Sequence, residues 1–214
     1  MLSILLFIFA VGAAVASVDT TCGLNVLGSL EGTKVSKSKY ALVYIVSCTL
    51  GGAMTGLAIG CINFVLKLTP VGLYQNYIIV VLFAILLGLE FIHKTGILPS
   101  GNFIVPSEWI KHAGYRSAAL WGQILGLGFI TLQVGVLFHA YILVSLFAAP
   151  WWLSLLAGAT FGVVRGTVFS LPLIRSIVYR MLEKRVHNLT LLSAVRQTVS
   201  MLLIIGSIIW IISY

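Results

Sequence analysis

The sequence predicts an all-α, polytopic membrane protein whose six transmembrane helices form two inverted three-helix repeats. Three observations predict it. Of 214 residues, 60% are apolar and only 8% charged, with a mean hydropathy of +1.10. Soluble domains carry roughly 25% charged residues, so a water-soluble globule is excluded. Two glycine ladders, Gly52-Gly56-Gly60 and Gly158-Gly162-Gly166, recur every fourth residue, which puts each set on one helix face where a neighbouring backbone approaches closely. The lysines and arginines outside the spans also gather on one side of the predicted bundle.

Taken in order, the first span covers residues 2–30 and is interrupted near Asp19-Thr20-Thr21. Ala14-Val15-Ala16 has the form of a signal-peptidase site, but no lysine or arginine precedes the apolar run, so a retained span is expected. The second span covers residues 40–66 and carries the first ladder; the third covers 71–92. Residues 96–117, with Pro99, Pro106 and Ser107-Glu108-Trp109-Ile110, are too polar to span. A short interfacial helix capped by Ser107 is expected there, with a gating or docking loop as the alternative. The fourth span, residues 118–148, reads as one long helix marked by Gln133 and His139. The fifth, 151–179, carries the second ladder and a kink at Pro172. The sixth covers 189–214. Trp151, Trp152 and Trp210 suit an outer interface. The units are therefore residues 1–95, a connection over 96–117, and residues 118–214.

Charge orients the spans. The connections after spans one, three and five hold Lys34, Lys37, Lys39, Lys94, Lys111, Arg116, Arg175, Arg180, Lys184 and Arg185, and the other side holds Lys67. By the positive-inside rule, loops 31–39, 93–117 and 175–188 are cytoplasmic and both termini outside. The sequon Asn188-Leu189-Thr190 lies on that inner side and is discounted. The net charge of +8 thus reports topology, and no aromatic-basic surface suits a nucleic acid.

Ionisable groups within spans mark candidate sites. Asp19 stands beside Thr20, Thr21 and Cys22 ahead of Gly23, a cluster that suits a loosened helix meeting a solute. Span four offers Gln133 and His139 in the corresponding stretch. At 1.5 Å per residue, Asp19 lies about 25 Å deep from Leu2 and Arg165 about 21 Å deep from Trp151, which permits an ion pair. That pair either locks the halves together or lines a site. Glu90 and His93, one turn apart, suit an ordinary boundary pair, a proton relay or half of a metal site. Arg196, with Gln197, Thr198 and Ser200, either lines an inner mouth or reaches lipid phosphates. The candidate binding set is Asp19, Thr20, Thr21, Cys22, Gln133, His139 and Arg165. No enzyme signature, cofactor motif or metal-binding pattern is present. Cys22, Cys48 and Cys61 form no C-x-x-C pair and read as packing residues.

The six-span plan with outside termini, Ala16-Ser17-Val18-Asp19 with Cys22-Gly23, and the two ladders together resemble the LysE/DsbD-type superfamily of membrane transporters. That resemblance implies a bacterial inner-membrane location and either an exporter or a CcdA-type thiol relay. The relay branch expects one membrane cysteine in each half, and residues 118–214 contain none. The exporter branch expects acidic or polar residues in spans one and four, which Asp19, Gln133 and His139 partly match. Arg165 favours an anionic or zwitterionic solute over a divalent cation. The expectation is a small-solute transporter working by alternating access, with proton coupling through His139 and Asp19. The alternatives are a non-catalytic membrane subunit, whose ladders bind partner helices and whose basic loops dock a soluble protein, and the thiol relay through Cys22. Membrane lipids and a small solute are the expected partners.

Overall fold

The computed structural model describes residues 2–17, 21–99, 114–129, 135–171, 176 and 187–213. Among these every regular element is helical: α1 (Leu2–Ala16), α2 (Thr21–Gly32), α3 (Lys37–Lys67), α4 (Gln75–Phe91), α5 (Tyr115–Leu127), α6 (Gly135–Phe147), α7 (Trp151–Ser170) and α8 (His187–Ile212). Short 3-10 turns, Pro70–Tyr74 and Thr95–Ile97, flank α4. Among the described residues four stretches are long and apolar enough to cross a membrane, in α3, in α4 with the 3-10 turn before it, in α7 and in α8, and α1 and α6 are apolar but shorter. Four such stretches, in described residues whose regular elements are all helical, mark an integral membrane protein.

The centre of the molecule is the crossing of α3 and α7. Gly52 lies against the Gly158 carbonyl, Gly56 against Ser154, and Gly60 against Trp151; Gly162 lies against Cys48 and Gly166 against Ile45. The residue numbers rise along one helix as they fall along the other, so the two run antiparallel. A single methyl on Gly52, Gly56, Gly158 or Gly162 would strike a backbone carbonyl of the partner helix. The spacing of the ladders therefore dictates a contact of backbone on backbone. On the adjoining face of α3, Gly122 and Gly126 of α5 repeat the device against the carbonyls of Tyr44 and Cys48, the second of which also meets Gly162.

Two apolar cores flank this crossing. The larger joins α1, α4, α6, α7 and Ile204 of α8, with Phe9, Phe83, Phe138 and Tyr141 almost fully buried. The smaller joins α2, α3 and α5 around Tyr40, Tyr44 and Trp121. In their most apolar stretches, 56% of α7 and 39% of α3 are buried inside the chain, against 17% for α4 and for α8. The inner pair is scaffold, and α4 and α8 form an outer wall.

The fourth span departs from its sequence reading. It is two helices: α5 ends at Leu127, Gly128 takes φ +62°, and α6 begins at Gly135 with φ +74°. Positive φ is open to glycine at little cost and interrupts the helical hydrogen bonds. The carbonyls freed at the end of α5 are met by side chains of the scaffold. Thr55 donates to Leu127 at 3.0 Å, and the Arg165 guanidinium donates to Leu125 at 2.8 Å. At the far end of α6, Asn63 donates to the Leu146 carbonyl and Lys67 to Ala149 at 3.3 Å. The fifth span is helical to Ser170, one residue short of Leu171 and two short of Pro172. Residues 172–175 and the interfacial helix expected near Ser107 lie outside the described residues.

Candidate functional site

A polar cavity of about 150 Å³ opens where four helix ends or faces converge: the end of α1 at Ala16, the end of α4 at Glu90, the start of α6 at Gly135, and the polar face of α8 from Ser193 to Ser200. Each wall has a local cause. α4 stops in a Schellman motif: Lys94 N–H donates to the Leu89 carbonyl at 3.0 Å and His93 N–H to Glu90 at 3.2 Å. The motif needs a left-handed residue at its turn, and His93 fills that place at φ +54°. Glycine is the usual occupant; here the strained position carries an imidazole that lines the cavity.

Across from it, Gln197 of α8 uses its amide to tie the wall together. The side-chain NH2 donates to the Glu90 carbonyl at 2.8 Å and lies 3.2 Å from His93 Nδ1, which accepts. Glu90, 7% exposed, lines the cavity with Arg196 and His93. The fourth wall is the first turn of α6, whose initial N–H groups have no partner within the helix and give that end a partial positive charge. A carboxylate, a guanidinium, an imidazole and a helix N-terminus thus face one small volume. Opposite charges on separate walls of a cavity the size of about five waters suit a small solute carrying both signs, or an anion held by Arg196 and the α6 terminus.

The sequence-predicted residues fall around this cavity unevenly. Asp19, Thr20 and Gln133 lie outside the described residues. The chain leaves the cavity wall at Ala16, three positions before Asp19, and enters it at Gly135, two after Gln133. Thr21 and Cys22 belong to the first turn of α2. His139 stands one turn further along α6, with ring nitrogens 2.9 Å from the carbonyl oxygens of Gly135 and Pro99. It holds the segment after α4 to α6 and is not among the lining residues. Arg165, 1% exposed, is packed over the Phe161 ring at 5.5 Å and caps α5 away from the cavity.

The residues that do converge are Glu90, His93, Arg196 and Gln197, which the sequence offers as two separate pairs, Glu90 with His93 and Arg196 with Gln197, and does not join. Glu90 and Gln197 are 107 positions apart, and no local pattern links them. Among the described residues no group of three histidine, cysteine or acidic side chains is placed to hold a metal. Cys48 is buried and Cys61 exposed, both as free thiols. No family model, no curated protein and no solved structure matches the chain.

Proposed function

We propose that the protein is a small-solute transporter working by alternating access, with its binding site in the Glu90–Arg196 cavity. The observation that carries the reading is a charged, two-signed cavity walled by helix ends inside an otherwise apolar bundle. Buried ionisable groups in a membrane protein are expensive and concentrate on substrate and ion pathways. Helix ends at such a site offer hydrogen-bonding groups that an intact helix consumes.

In this reading α1 with α2, and α5 with α6, are each one discontinuous span, which brings the total to six. The halves are then inverted repeats related by an axis near Gly52 and Gly158. The contacts support it: with an offset of 106, Gly56 against Ser154 becomes Gly162 against Cys48, and Gly60 against Trp151 becomes Gly166 against Ile45. The basic loops face the cytoplasm, which places the cavity on the inner side. The burial of both ladders within the chain speaks against the alternative of a membrane subunit, because that alternative needs glycine faces free for a partner.

The test is flux in proteoliposomes across a panel of small amino acids, monocarboxylates and phosphate. Glu90→Gln and Arg196→Gln are expected to reduce flux of the accepted solute at least tenfold while the protein stays monodisperse. Wild-type flux unaffected by either change overturns the site. Proton coupling through Asp19 and His139 predicts that the double alanine variant loses the pH dependence of flux; an unchanged pH profile removes that part. Normal solute flux by neither wild type nor variants, with co-purification of a stable partner, favours the subunit.

A further inference from the structure

A second cavity, about 330 Å³, lies at the opposite end of the molecule. Its walls are Leu2, Ser3 and Leu5 of α1, Asn76 of α4, Ala148 just past α6, and Trp210 and Ile211 of α8. These are the same four helices that line the polar cavity, met at their other ends. Along α4 the two cavities are separated by the 14 residues from Asn76 to Glu90, or about 21 Å at 1.5 Å per residue. Along α1 they are separated by the 11 residues from Leu5 to Ala16, or about 16 Å. From Leu137 to Ala148 on α6 the distance is again about 16 Å, and from Ser200 to Trp210 on α8 about 15 Å. Four helices thus frame one seam with an opening at each end.

What fills the seam differs from what fills the scaffold crossing. Phe9 of α1 meets Phe83 of α4 edge to face, ring centres 5.4 Å apart, and both are fully buried. One turn on, Gly12 of α1 leaves space that Leu137 of α6 and Leu203 of α8 close in on. Ile204, fully buried, completes the layer. Where α3 meets α7, backbone touches backbone and nothing can rotate out of the way. Where α1 meets α4, the contact is made by aromatic side chains and not by backbone, and this pair is far less closely packed than α1 with α6. α4 and α8 also have the least surface tied into the rest of the chain.

We infer that the seam between α1, α4, α6 and α8 is the solute path and that the layer of Phe9, Phe83, Leu137, Leu203 and Ile204 is its barrier, opened by movement of α4 and α8 against the α3–α7 scaffold. The inference rests on the transporter reading and names the path through it.

Single cysteines test it without any solute. In sealed membrane vesicles of both orientations, Ser193→Cys, Asn76→Cys and Phe83→Cys are exposed to a membrane-impermeant cationic methanethiosulfonate, and labelling is read peptide by peptide by mass spectrometry. Ser193→Cys is expected to label from one face only, Asn76→Cys from the opposite face only, and Phe83→Cys at least tenfold more slowly from either. Adding Phe9→Ala to the Ser193→Cys protein is expected to raise labelling from the far face at least fivefold. Labelling of Ser193→Cys and Asn76→Cys from the same face, or rapid labelling of Phe83→Cys, overturns the barrier. Should Phe9→Ala fail to yield monodisperse protein, Leu203→Ala replaces it, and far-face labelling that stays at the parent level in the folded variant also overturns the barrier. Flux and labelling separate the two readings: opposed labelling in a protein that moves no solute leaves the layer and removes the transporter, and the reverse result removes the layer alone.

Discussion

His93 stands in a backbone state that costs a non-glycine residue about 1 kcal/mol. His93→Gly is therefore expected to preserve or raise thermal stability in detergent, because the Schellman turn relaxes, while it removes the acceptor facing Gln197 and lowers flux. A residue kept only for packing would show the opposite order, with stability falling and flux intact. Arg165 carries the contrary expectation. Its guanidinium meets a carbonyl at the end of α5, and a hydrogen bond to a charged group contributes about 1.5–3 kcal/mol. Arg165→Leu should destabilise the fold by that scale and so lower the unfolding midpoint, and Arg165→Lys, which keeps a donor without the planar fork, should recover part of it. Differential scanning fluorimetry in one detergent checks both. The sequence marks Arg165 as unusual because a charge inside an apolar run is visible to inspection. Its partner is not visible, since the Leu125 carbonyl loses its ordinary donor four residues on, and takes a bond from Gly128 N–H, only where α5 stops.

At the scale of the element, the ladders were legible and the break in the fourth span was not. Glycine every fourth residue in an apolar run has one economical explanation, a face against which a backbone rests. Gly128 and Gly135 sit seven apart among leucine, isoleucine and phenylalanine, and glycine is common enough in membrane helices that neither announces a stop. Only the positive φ at both reveals the interruption. The cavity was equally hidden, because its walls come from four separate helices whose shared volume has no signature along the chain. The crossing makes a sharp contrast testable. Gly158→Leu places a branched side chain against the Gly52 carbonyl and is expected to abolish recovery of monodisperse protein, an overpacking cost of 3 kcal/mol or more by order of magnitude (about that scale for a rigid site). Gly206→Ala meets nothing within 4 Å and should be neutral or stabilising by up to about 1 kcal/mol.

For the molecule as a whole, the division into scaffold and wall predicts unequal protection. Backbone amides of α3 and α7 near Gly52 and Gly158 are sealed by each other, whereas α4 and α8 lean on the bundle through fewer contacts. Hydrogen exchange in lipid nanodiscs should be at least tenfold slower for residues 48–60 than for residues 76–90, and equal rates would contradict the division. A composition this apolar, at 60% with 8% charge, fixed the medium in which the chain folds. The charge asymmetry along it supplies a direction but no chemistry. Chemistry required the third dimension, where one carboxylate and one guanidinium from distant helices come to face a common space.

The crossing at Gly52 and Gly158 also sets a timetable for biosynthesis. The two glycines are 106 positions apart, and translation advances at about 5–20 residues per second. The first ladder therefore waits roughly 5–20 s in the bilayer before its mate is synthesised. Through that interval α3 exposes a bare strip of main chain to lipid, with α5 the earliest helix able to cover part of it. Ribosomes stalled before residue 150 should leave nascent chains that quality-control proteases recognise, and those released after residue 170 should escape them.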